Sequence, residues 1–295
     1  MARGIDHVVH AVHDLDAAAA LYRALGFQVG ARNRHPPSWG TQNHIVQLEG
    51  CFLELLALAD RTQVAPHAPR YFSFGAFNRD ALARGEGLSM LALESRDAYA
   101  DALAFREAGV GDFDVLDFER DAKRPDGATI KVAFSLAFAG DPNAAEIGFF
   151  TCQHRFPENF WNPAFQVHPN TAVTLVGIVM VAAQPSDFGK FLSAFAGQPI
   201  GTSAGPVAKM PRGDIQITTP AAFENAFDAP PPDTASSARL AALRVGVRDL
   251  AATATVLNGA GFPIGEFEGN LVVGPHSAMG TTLIFEPLRA AQPLR

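Results

Sequence analysis

The chain of 295 residues contains little cysteine and no surplus of positive charge. Its two cysteines, Cys51 and Cys152, cannot form a disulfide framework and lack a CxxC spacing, so a reducing compartment is expected, with both thiols as buried apolar fillers. Lys and Arg together number 23 against 30 Asp and Glu, which gives a formal net charge of −7. Because nucleic acids select basic surfaces, we do not expect a nucleic-acid partner.

Long hydrophobic runs are also missing. The longest largely apolar stretch, residues 173–183, is shorter than the roughly 20 residues that a membrane helix needs. The first residues enter a strand-like pattern without the apolar core of a signal peptide, so the sequence predicts a cytoplasmic protein with no membrane partner. It has neither a GxGxxG segment behind a strand nor a GxxxxGKS or GxxxxGKT loop, so nucleotide binding through these motifs is not expected.

What the sequence does contain is an internal repeat. Residues 14–27 and 249–262 agree at six of fourteen positions without a gap. Residues 97–109 repeat the same spacing from Asp to Gly, and residues 185–197 repeat it with Asp moved two places later. Each copy has an apolar run, a residue that can cap a helix, about three amphipathic turns and a glycine. This order is typical of a strand, an N-cap, a helix and a C-cap.

Strand candidates follow each repeated helix. In the first copy they lie at 27–32, 43–48 and 51–58, and Glu49-Gly50 forms a tight turn between the last two, so the copy reads as a βαβββ module. The other copies supply strands at 88–93, 115–119, 129–138 and 146–153, then at 173–182, 204–209 and 214–218, and finally at 240–247, 262–267, 270–273 and 281–287. The sequence therefore predicts an α+β fold of four βαβββ modules.

Polar and proline-rich breaks divide the four modules into two domains. Residues 1–165 are expected to form an N-terminal domain of modules one and two, and residues 171–295 a C-terminal domain of modules three and four. Residues 61–87 link the first pair of modules and residues 229–237 link the second pair.

The opening GIDHVVHAVHDLDAAAALYRALGF and the strand CFLELLAL resemble the vicinal oxygen chelate superfamily, in its glyoxalase-like and bleomycin-resistance-like branches. The fragment CQHRFPENFWNPAF also resembles the glyoxalase-like branch. The resemblance implies curved sheets of paired modules around a cupped site, with metal ligands on the first and fourth strands of a module. It implies His7 and Glu54 as ligands and one divalent metal ion, Fe, Mn, Zn or Ni, as cofactor. Such modules also pair between chains, so a homodimer and a self-sufficient monomer both stay open.

Strand alternation supports this pair of residues. His7 interrupts an apolar row on one face of the first strand, and Glu54 does so on the fourth. A carboxylate buried in such a row needs a metal or a partner charge. We expect Glu54 to be both a metal ligand and a proton carrier in catalysis. The nearby His10 and His13 lie off this face or beyond the strand end, and are expected to be solvated.

The repeat also limits where the remaining ligands can be. Seven residues before the helix cap, where the first copy has His7, the others have Met90, Ile178 and Ala242. In the resemblance, the long four-module members that cleave catechols, the extradiol dioxygenases, place two His and one Glu in the second half. This chain has Ile178 and Ala242 where those His would lie, so it departs from that pattern, and we expect its second half to be a scaffold. The second module ends in Gln153 and His154, which point to opposite faces. The candidate metal ligands are thus His7, Glu54 and His154, with Gln153 as the alternative to His154.

Two loops have compositions that suit a substrate mouth, residues 32–43 and residues 155–170. They carry aromatic rings, amides and a histidine, which fit a partly apolar pocket. The candidate substrate-binding residues are Trp39, Asn43, Gln153, Phe160, Trp161 and His168.

These features predict a divalent-metal-dependent, glyoxalase-like enzyme that acts on a small oxygenated substrate by bidentate chelation. Isomerase or lyase, oxygenase and hydrolase chemistry all stay open, because the fold and the ligand set do not fix the reaction. The alternative is a metal-free protein of the bleomycin-resistance type that binds or sequesters a small molecule. In that case Glu54 would be paired with a protein cation, and Trp39, Phe160 and Trp161 would wall an apolar pocket.

Overall fold

The computed structural model of the protein describes residues 2–123, 127, 129–200 and 206–288. Within these residues, fifteen strands form two curved sheets. The first sheet contains β1 (Ile5–Ala11), β2 (Asn33–Arg34), β3 (Thr41–Leu48), β4 (Cys51–Leu58), β5 (Gly87–Glu94), β6 (Leu116–Lys123), β7 (Thr129–Ala139) and β8 (Gly148–His154). The second contains β9 (Ala172–Val181), β10 (Val207–Lys209), β11 (Asp214–Thr218), β12 (Arg239–Val247), β13 (Ile264–Phe267), β14 (Asn270–Val273) and β15 (Thr282–Pro287).

Six α-helices lie in the described part of the chain: α1 (Leu15–Ala24), α2 (Phe74–Arg84), α3 (Ala98–Ala108), α4 (Gly189–Ala196), α5 (Pro220–Phe227) and α6 (Leu250–Gly259). The side chains of Asp14, Asp97 and Asp249 cap α1, α3 and α6 by accepting hydrogen bonds from backbone N–H groups, as the repeat predicts. None of the helices in the described residues is long and apolar enough to cross a membrane.

The strand order shows how the modules pair. The first sheet runs β2-β3-β4-β1-β5-β8-β7-β6, and the second runs β10-β11-β9-β12-β15-β14-β13. In each sheet the first strands of two modules lie antiparallel at the centre, β1 beside β5 and β9 beside β12. The first and fourth strands of module one, β1 and β4, are parallel neighbours. Residues on β1, β4, β5 and β8 are therefore brought together in the middle of the first sheet.

Two details differ from the sequence prediction, and a third predicted strand lies partly outside the described residues. Residues 27–32 do not form a strand, because Gly30 is the one residue of this stretch whose backbone N–H bonds to the backbone of β3, at the carbonyl of Ile45. The polar break at 61–87 contains α2, which begins at the N-cap Ser73. The predicted strand at 204–209 begins at residues that lie outside the described ones, and its described part is β10.

The concave faces of the two sheets, called cups below, are filled differently. On the second sheet, Phe223 of α5 is fully buried in a cluster with strand residues that include Ala242 and Ile284. On the first sheet, α2 places Phe74 beside Trp39 at the rim of a cluster that surrounds an open cavity. The first cup therefore keeps room for a ligand.

Buried histidines join segments that are far apart in sequence. His10, expected to be solvated, is buried: its Nδ1 lies 2.8 Å from the Tyr22 hydroxyl and its Nε2 2.8 Å from the carbonyl oxygen of Met279, in the second half. His168 lies between the backbone of Gln28 and Gln47. Burial lowers the pKa of both imidazoles below the usual 6.5, so both are neutral at neutral pH.

These two histidines should make the protein less stable in mild acid. A lowered pKa means that the unfolded chain takes up the proton first, so the stability is present above pH 6.5 and lost as pH falls. Urea unfolding at about pH 7.5 and about pH 5.5 should show a loss of at most about 1.4 kcal/mol per histidine per pH unit. The loss should be smaller in His10→Gln. A free energy of unfolding that is constant or rises toward the acid side would contradict this.

Candidate metal and substrate site

A β-bulge at Asp6 shapes the centre of the first sheet. Ile5 pairs with Leu93 of β5 and His7 pairs with Ala92, so Asp6 is an extra residue on β1. In a regular strand Asp6 and His7 would point to opposite faces, but a bulge re-aims its side chain. Here the Asp6 carboxylate lies against both His7 and His154.

The repeat places this bulge at a fixed distance from the helix. Asp6 lies eight residues before the N-cap Asp14, and the extra residue of β5, Ser89, lies eight before Asp97. Irregular pairing of β12 likewise leaves out Ala241, eight residues before its N-cap. The bulge therefore recurs in modules one, two and four, and of these only module one has a carboxylate at the extra residue.

Imidazoles and carboxylates alternate across the site. His154 Nε2 lies 3.0 Å from Asp6 Oδ2, and Asp6 Oδ1 lies 2.5 Å from His7 Nδ1. His7 Nε2 lies 3.9 Å from Glu54 Oε2, and Glu54 Oε1 lies 3.6 Å from His35 Nε2. All five side chains are at most about a tenth exposed. A buried array of this kind holds its charges only because each carboxylate faces an imidazole.

Hydrogen bonds fix the orientation of the central groups. Asn43 Nδ2 donates to Glu54 Oε1 at 2.5 Å, and this leaves Oε2 as the oxygen nearest His7. His35 Nδ1 lies 2.8 Å from the Thr41 hydroxyl, so its Nε2 faces the cavity, 3.2 Å from Asn43 Nδ2 and 3.6 Å from Glu54 Oε1. Asp6 likewise holds His7 by Nδ1 and leaves Nε2 toward Glu54. Both imidazoles present the nitrogen that a metal or a substrate would use.

The electrostatics follow from burial and pairing. Burial by itself would raise the pKa of the Asp6 carboxyl, but the charges of His154 and His7 and their hydrogen bonds lower it well below its usual range. Burial lowers the pKa of His35 below 6.5, against the attraction of Glu54. Burial also raises the pKa of the Cys152 thiol well above its usual value. At neutral pH the site therefore holds an ionised Asp6, a neutral His35 and a neutral thiol.

The cavity beside this array has a volume of about 70 Å³ and is walled mainly by aromatic rings. The His7 imidazole stacks on Phe52 at 4.2 Å between ring centroids. The lining residues are His7, Asn33, His35, Trp39, Asn43, Ile45, Phe52, Glu54, Phe74, Phe118, Arg120, Phe134, Leu136, Phe150, Cys152 and Phe160. This lining combines apolar walls with a few polar groups, which is typical of a small-molecule site.

The structure brings together five of the residues singled out from the sequence. His7, Glu54, Trp39, Asn43 and Phe160 all line the cavity.

His154 and Trp161 lie just behind the cavity. Their rings stack at 5.4 Å, and Asp6 lies between His154 and His7. In this structure His154 therefore contacts the array through Asp6, and whether it ligates a metal stays a prediction.

Besides Trp161, two candidate substrate contacts lie outside the cavity. Gln153 points to the opposite face of β8, as alternation requires, and holds the start of α3 through Ala98 N and the carbonyl oxygen of Arg96. His168 is engaged by backbone groups of Gln28 and Gln47. Both side chains have structural hydrogen bonds that account for their polarity.

Strand register identifies the positions equivalent to His7 and Glu54. His7 pairs with Phe52 and Val9 with Glu54, while Met90 pairs with Gly148 and Ala92 with Phe150. The module-two equivalent of Glu54 is thus Phe150, four residues before His154.

In module four the equivalent positions hold Ala242 and Ile284, both buried and apolar. The nearby Glu286 is bonded to Arg244, which also bonds Asp214. The second sheet therefore has apolar side chains where module one has its histidine and carboxylate, and the ion-pair network lies beside them.

The polar and thiol side chains of the site that were not predicted from sequence are Asp6, Asn33, His35, Arg120 and Cys152. Asp6 was hidden by the bulge, because alternation assigns it to the other face. His35 lies in a loop, where no periodicity reports on burial. The composition of the loop at residues 32–43, which contains His35, was the only signal.

The donor atoms fit a divalent metal best at His7 and Glu54. The 3.9 Å between His7 Nε2 and Glu54 Oε2 exceeds hydrogen-bonding distance. An ion at about 2.0–2.2 Å from each atom would draw the two side chains closer together. A second group, Asp6, Cys152 and His154, has potential ligand atoms within 4.8 Å of one another. There, both Asp6 oxygens already face imidazoles and the thiol is neutral, so this group fits less well.

Comparison with known proteins gives a family and a fold. Residues 5–195 match the protein family described as glyoxalase-like domain. No curated protein sequence matches the chain. The structure is similar to a hypothetical protein from Staphylococcus aureus, with TM-score 0.63 and 13% identity over 97% of this chain and 100% of that chain.

Two further solved structures share the fold. A triple mutant of 4-hydroxymandelate synthase from Streptomyces coelicolor has TM-score 0.60 and 12% identity, covering 99% of this chain and 94% of that chain. A xylose isomerase-like TIM barrel/4-hydroxyphenylpyruvate dioxygenase fusion protein has TM-score 0.55 and 10% identity, covering 100% of this chain and 50% of that chain. The two curved sheets have the architecture of two vicinal oxygen chelate domains.

Proposed function

This chain belongs to the glyoxalase-like domain family, within the vicinal oxygen chelate superfamily, and from that premise we propose that it is a divalent-metal-dependent enzyme. Its substrate is a small oxygenated molecule that binds in the cavity of the first sheet. Residues 1–165 form the working domain, and residues 171–295 form a scaffold domain whose cup is filled by Phe223.

The observation that carries this proposal is the facing pair of His7 Nε2 and Glu54 Oε2, 3.9 Å apart, at the polar end of an apolar cavity. The carboxylate of Asp6 on His7 Nδ1 completes the carboxylate–histidine arrangement that is usual behind a metal-bound imidazole. No Lys or Arg in the described residues forms an ion pair with Glu54, whose paired groups are His7 and His35.

The residues around the cavity have separate roles in this proposal. A divalent ion held by His7 and Glu54 would supply Lewis acidity toward a carbonyl or enol oxygen. Glu54 accepts and returns the substrate proton, with Asn43 holding its second oxygen in place. His35 stays neutral and offers Nε2 as a hydrogen-bonding or ligating nitrogen. The aromatic walls exclude water from the reacting end.

We propose His35 as the third protein ligand, with His154 as the alternative, because His35 Nε2 faces the same carboxylate that His7 faces. Asn43 Nδ2, 3.2 Å from His35 Nε2, would give up this contact, and the three donor atoms would close around the ion. His35→Ala should then weaken Mn(II) or Zn(II) binding by well over about 100-fold, since it removes a direct ligand. His154→Ala should weaken it by about 10–100-fold at most, as expected for an outer partner. Calorimetric titration of both variants measures this. The reverse order of affinities would restore His154 as the ligand.

The proposed function is tested by metal content and by turnover together. Protein purified without a histidine tag should contain nearly one equivalent of metal, or take it up from Fe(II), Mn(II), Zn(II) or Ni(II). The loaded protein is then screened against diketones, enols and catechols, with the metal-free protein as the control. Absence of metal after all four incubations would refute the proposal.

A metal-free binding protein is the second candidate, and one observation favours it. Glu54 already accepts a hydrogen bond from Asn43 and faces two imidazoles, so the carboxylate has partners without a metal. In that case the protein would bind small apolar molecules with equal affinity whether or not metal is added.

A further inference from the structure

The walls of the cavity are unusually rich in aromatic rings. Seven aromatic side chains line it: Trp39, Phe52, Phe74, Phe118, Phe134, Phe150 and Phe160. Several pack edge to face or tilted, for example Trp39 against Phe118 at 5.4 Å. Flat rings arranged in this way present both faces and edges to a guest, which suits another flat ring.

Among the described residues, one permanent cation reaches this aromatic cavity. Arg120 lies on β6, at one edge of the first sheet, and its side chain lines the cavity. Its Nη2 donates to Asn33 Oδ1 at 3.0 Å, and Asn33 lies on β2, at the opposite edge. A hydrogen bond between side chains therefore joins the two sheet edges at the cavity.

The guanidinium of Arg120 is poorly compensated. No carboxylate among the described residues forms an ion pair with it, whereas arginines such as Arg155 and Arg244 have one. Its contact with Asn33 is to a neutral amide. Burial lowers its pKa, which reflects a charge removed from water without an acidic partner. A planar guanidinium in such a setting is a receptor for a carboxylate.

We propose that the cavity binds an aryl carboxylate, with the aromatic ring between the phenyl walls and the carboxylate on Arg120. The ligand's carboxylate replaces Asn33 as the acceptor, so that binding releases the bond between the two sheet edges. This inference rests on the proposed function in one respect only, namely that the ligand reacts at the end of the cavity that holds His7 and Glu54. The ring and carboxylate sites are protein groups that need no metal.

Tryptophan fluorescence of the metal-free protein tests this directly. Of the two tryptophans, Trp39 lines the cavity and Trp161 stacks on His154 behind it. The probes are benzoate, benzyl alcohol as the same ring without charge, and acetate as the charge without a ring. Benzoate should bind more tightly than either of the other two.

Variants separate the two halves of the recognition. Arg120→Gln should weaken benzoate about 10–100-fold, the usual range for a lost charged hydrogen bond, and change benzyl alcohol less than about twofold. Asn33→Ala frees the guanidinium and should tighten benzoate about 2–10-fold. Arg34→Gln is the matched control, because it removes an exposed arginine from β2, the strand that carries Asn33. It should leave the affinities for benzoate, benzyl alcohol and acetate unchanged.

Several results would overturn the proposal. They are equal affinities for benzoate and benzyl alcohol, equal affinities for benzoate and acetate, no binding of benzoate at all, or an unchanged benzoate affinity in both Arg120→Gln and Asn33→Ala. Because the titrations use metal-free protein, a failure here leaves the metal measurement untouched. Absence of metal would likewise leave the carboxylate site standing as part of a binding protein.

Discussion

Glu54→Gln should abolish stoichiometric metal binding while leaving the fold intact. Gln keeps the size of the side chain and an oxygen that can accept the hydrogen bond from Asn43, but it removes the negative charge that a divalent ion needs. We expect the metal affinity to fall by more than about 100-fold, beyond the loss typical of outer-shell changes. If turnover is found, it should fall by about 10²–10⁴-fold with the loss of the proton carrier.

Glu286→Gln is the matched control for this prediction. Glu286 is a carboxylate on β15, the last strand of module four as β4 is of module one, and it is held by Arg244. Its loss should leave metal affinity unchanged, although the ion-pair network weakens. Calorimetric titration of both variants, with circular dichroism to verify folding, makes the comparison. Equal metal affinity in Glu54→Gln and the wild type would rule out Glu54 as a ligand.

Asp6→Asn should lower both metal affinity and stability. The Asp6 carboxylate holds His7 by Nδ1 and His154 by Nε2, so an amide can satisfy only one of them as an acceptor. Metal affinity should fall by about 10–100-fold, because the orientation and basicity of His7 depend on this partner. The free energy of unfolding should fall by about 1–3 kcal/mol, the cost of a buried group left without its bond.

The loss of stability should itself depend on pH. The pKa of Asp6 is held well below its usual value, so the stability it contributes is present above about pH 4 and lost as pH falls through and below that range. Wild type and Asp6→Asn should therefore converge in stability on the acid side. Asp80→Asn, at an exposed position, serves as the control and should follow the wild type at every pH. A gap between wild type and Asp6→Asn that widens in acid would be inconsistent with an ionised Asp6.

The repeated architecture could be predicted because its signals are local. Asp14, Asp97 and Asp249 accept the capping hydrogen bonds that their positions predict. The apolar rows around His7 and Glu54 likewise predicted that both side chains are buried. Caps and alternation depend on residues a few positions apart, so sequence reports them well.

The rest of the site depends on departures from regularity. The bulge at Asp6 adds one residue to β1 and turns a carboxylate onto the face that alternation gives to His7. No residue type marks this bulge, since Ser89 and Ala241 occupy the equivalent positions. His35 and Arg120 reach the cavity because the sheet curves enough for the side chains of Asn33 on β2 and Arg120 on β6 to form a hydrogen bond. Such long-range contacts leave no periodic trace in the sequence.

The decisive measurement is the position of the metal in crystals grown with Mn(II) or Co(II). An anomalous difference map should show one strong peak at about 2.0–2.2 Å from both His7 Nε2 and a Glu54 oxygen. A peak among Asp6, Cys152 and His154 would move the metal to the other group of donors. No peak at saturating metal, with His7 and Glu54 in their present positions, would contradict the account and leave a metal-free binding protein.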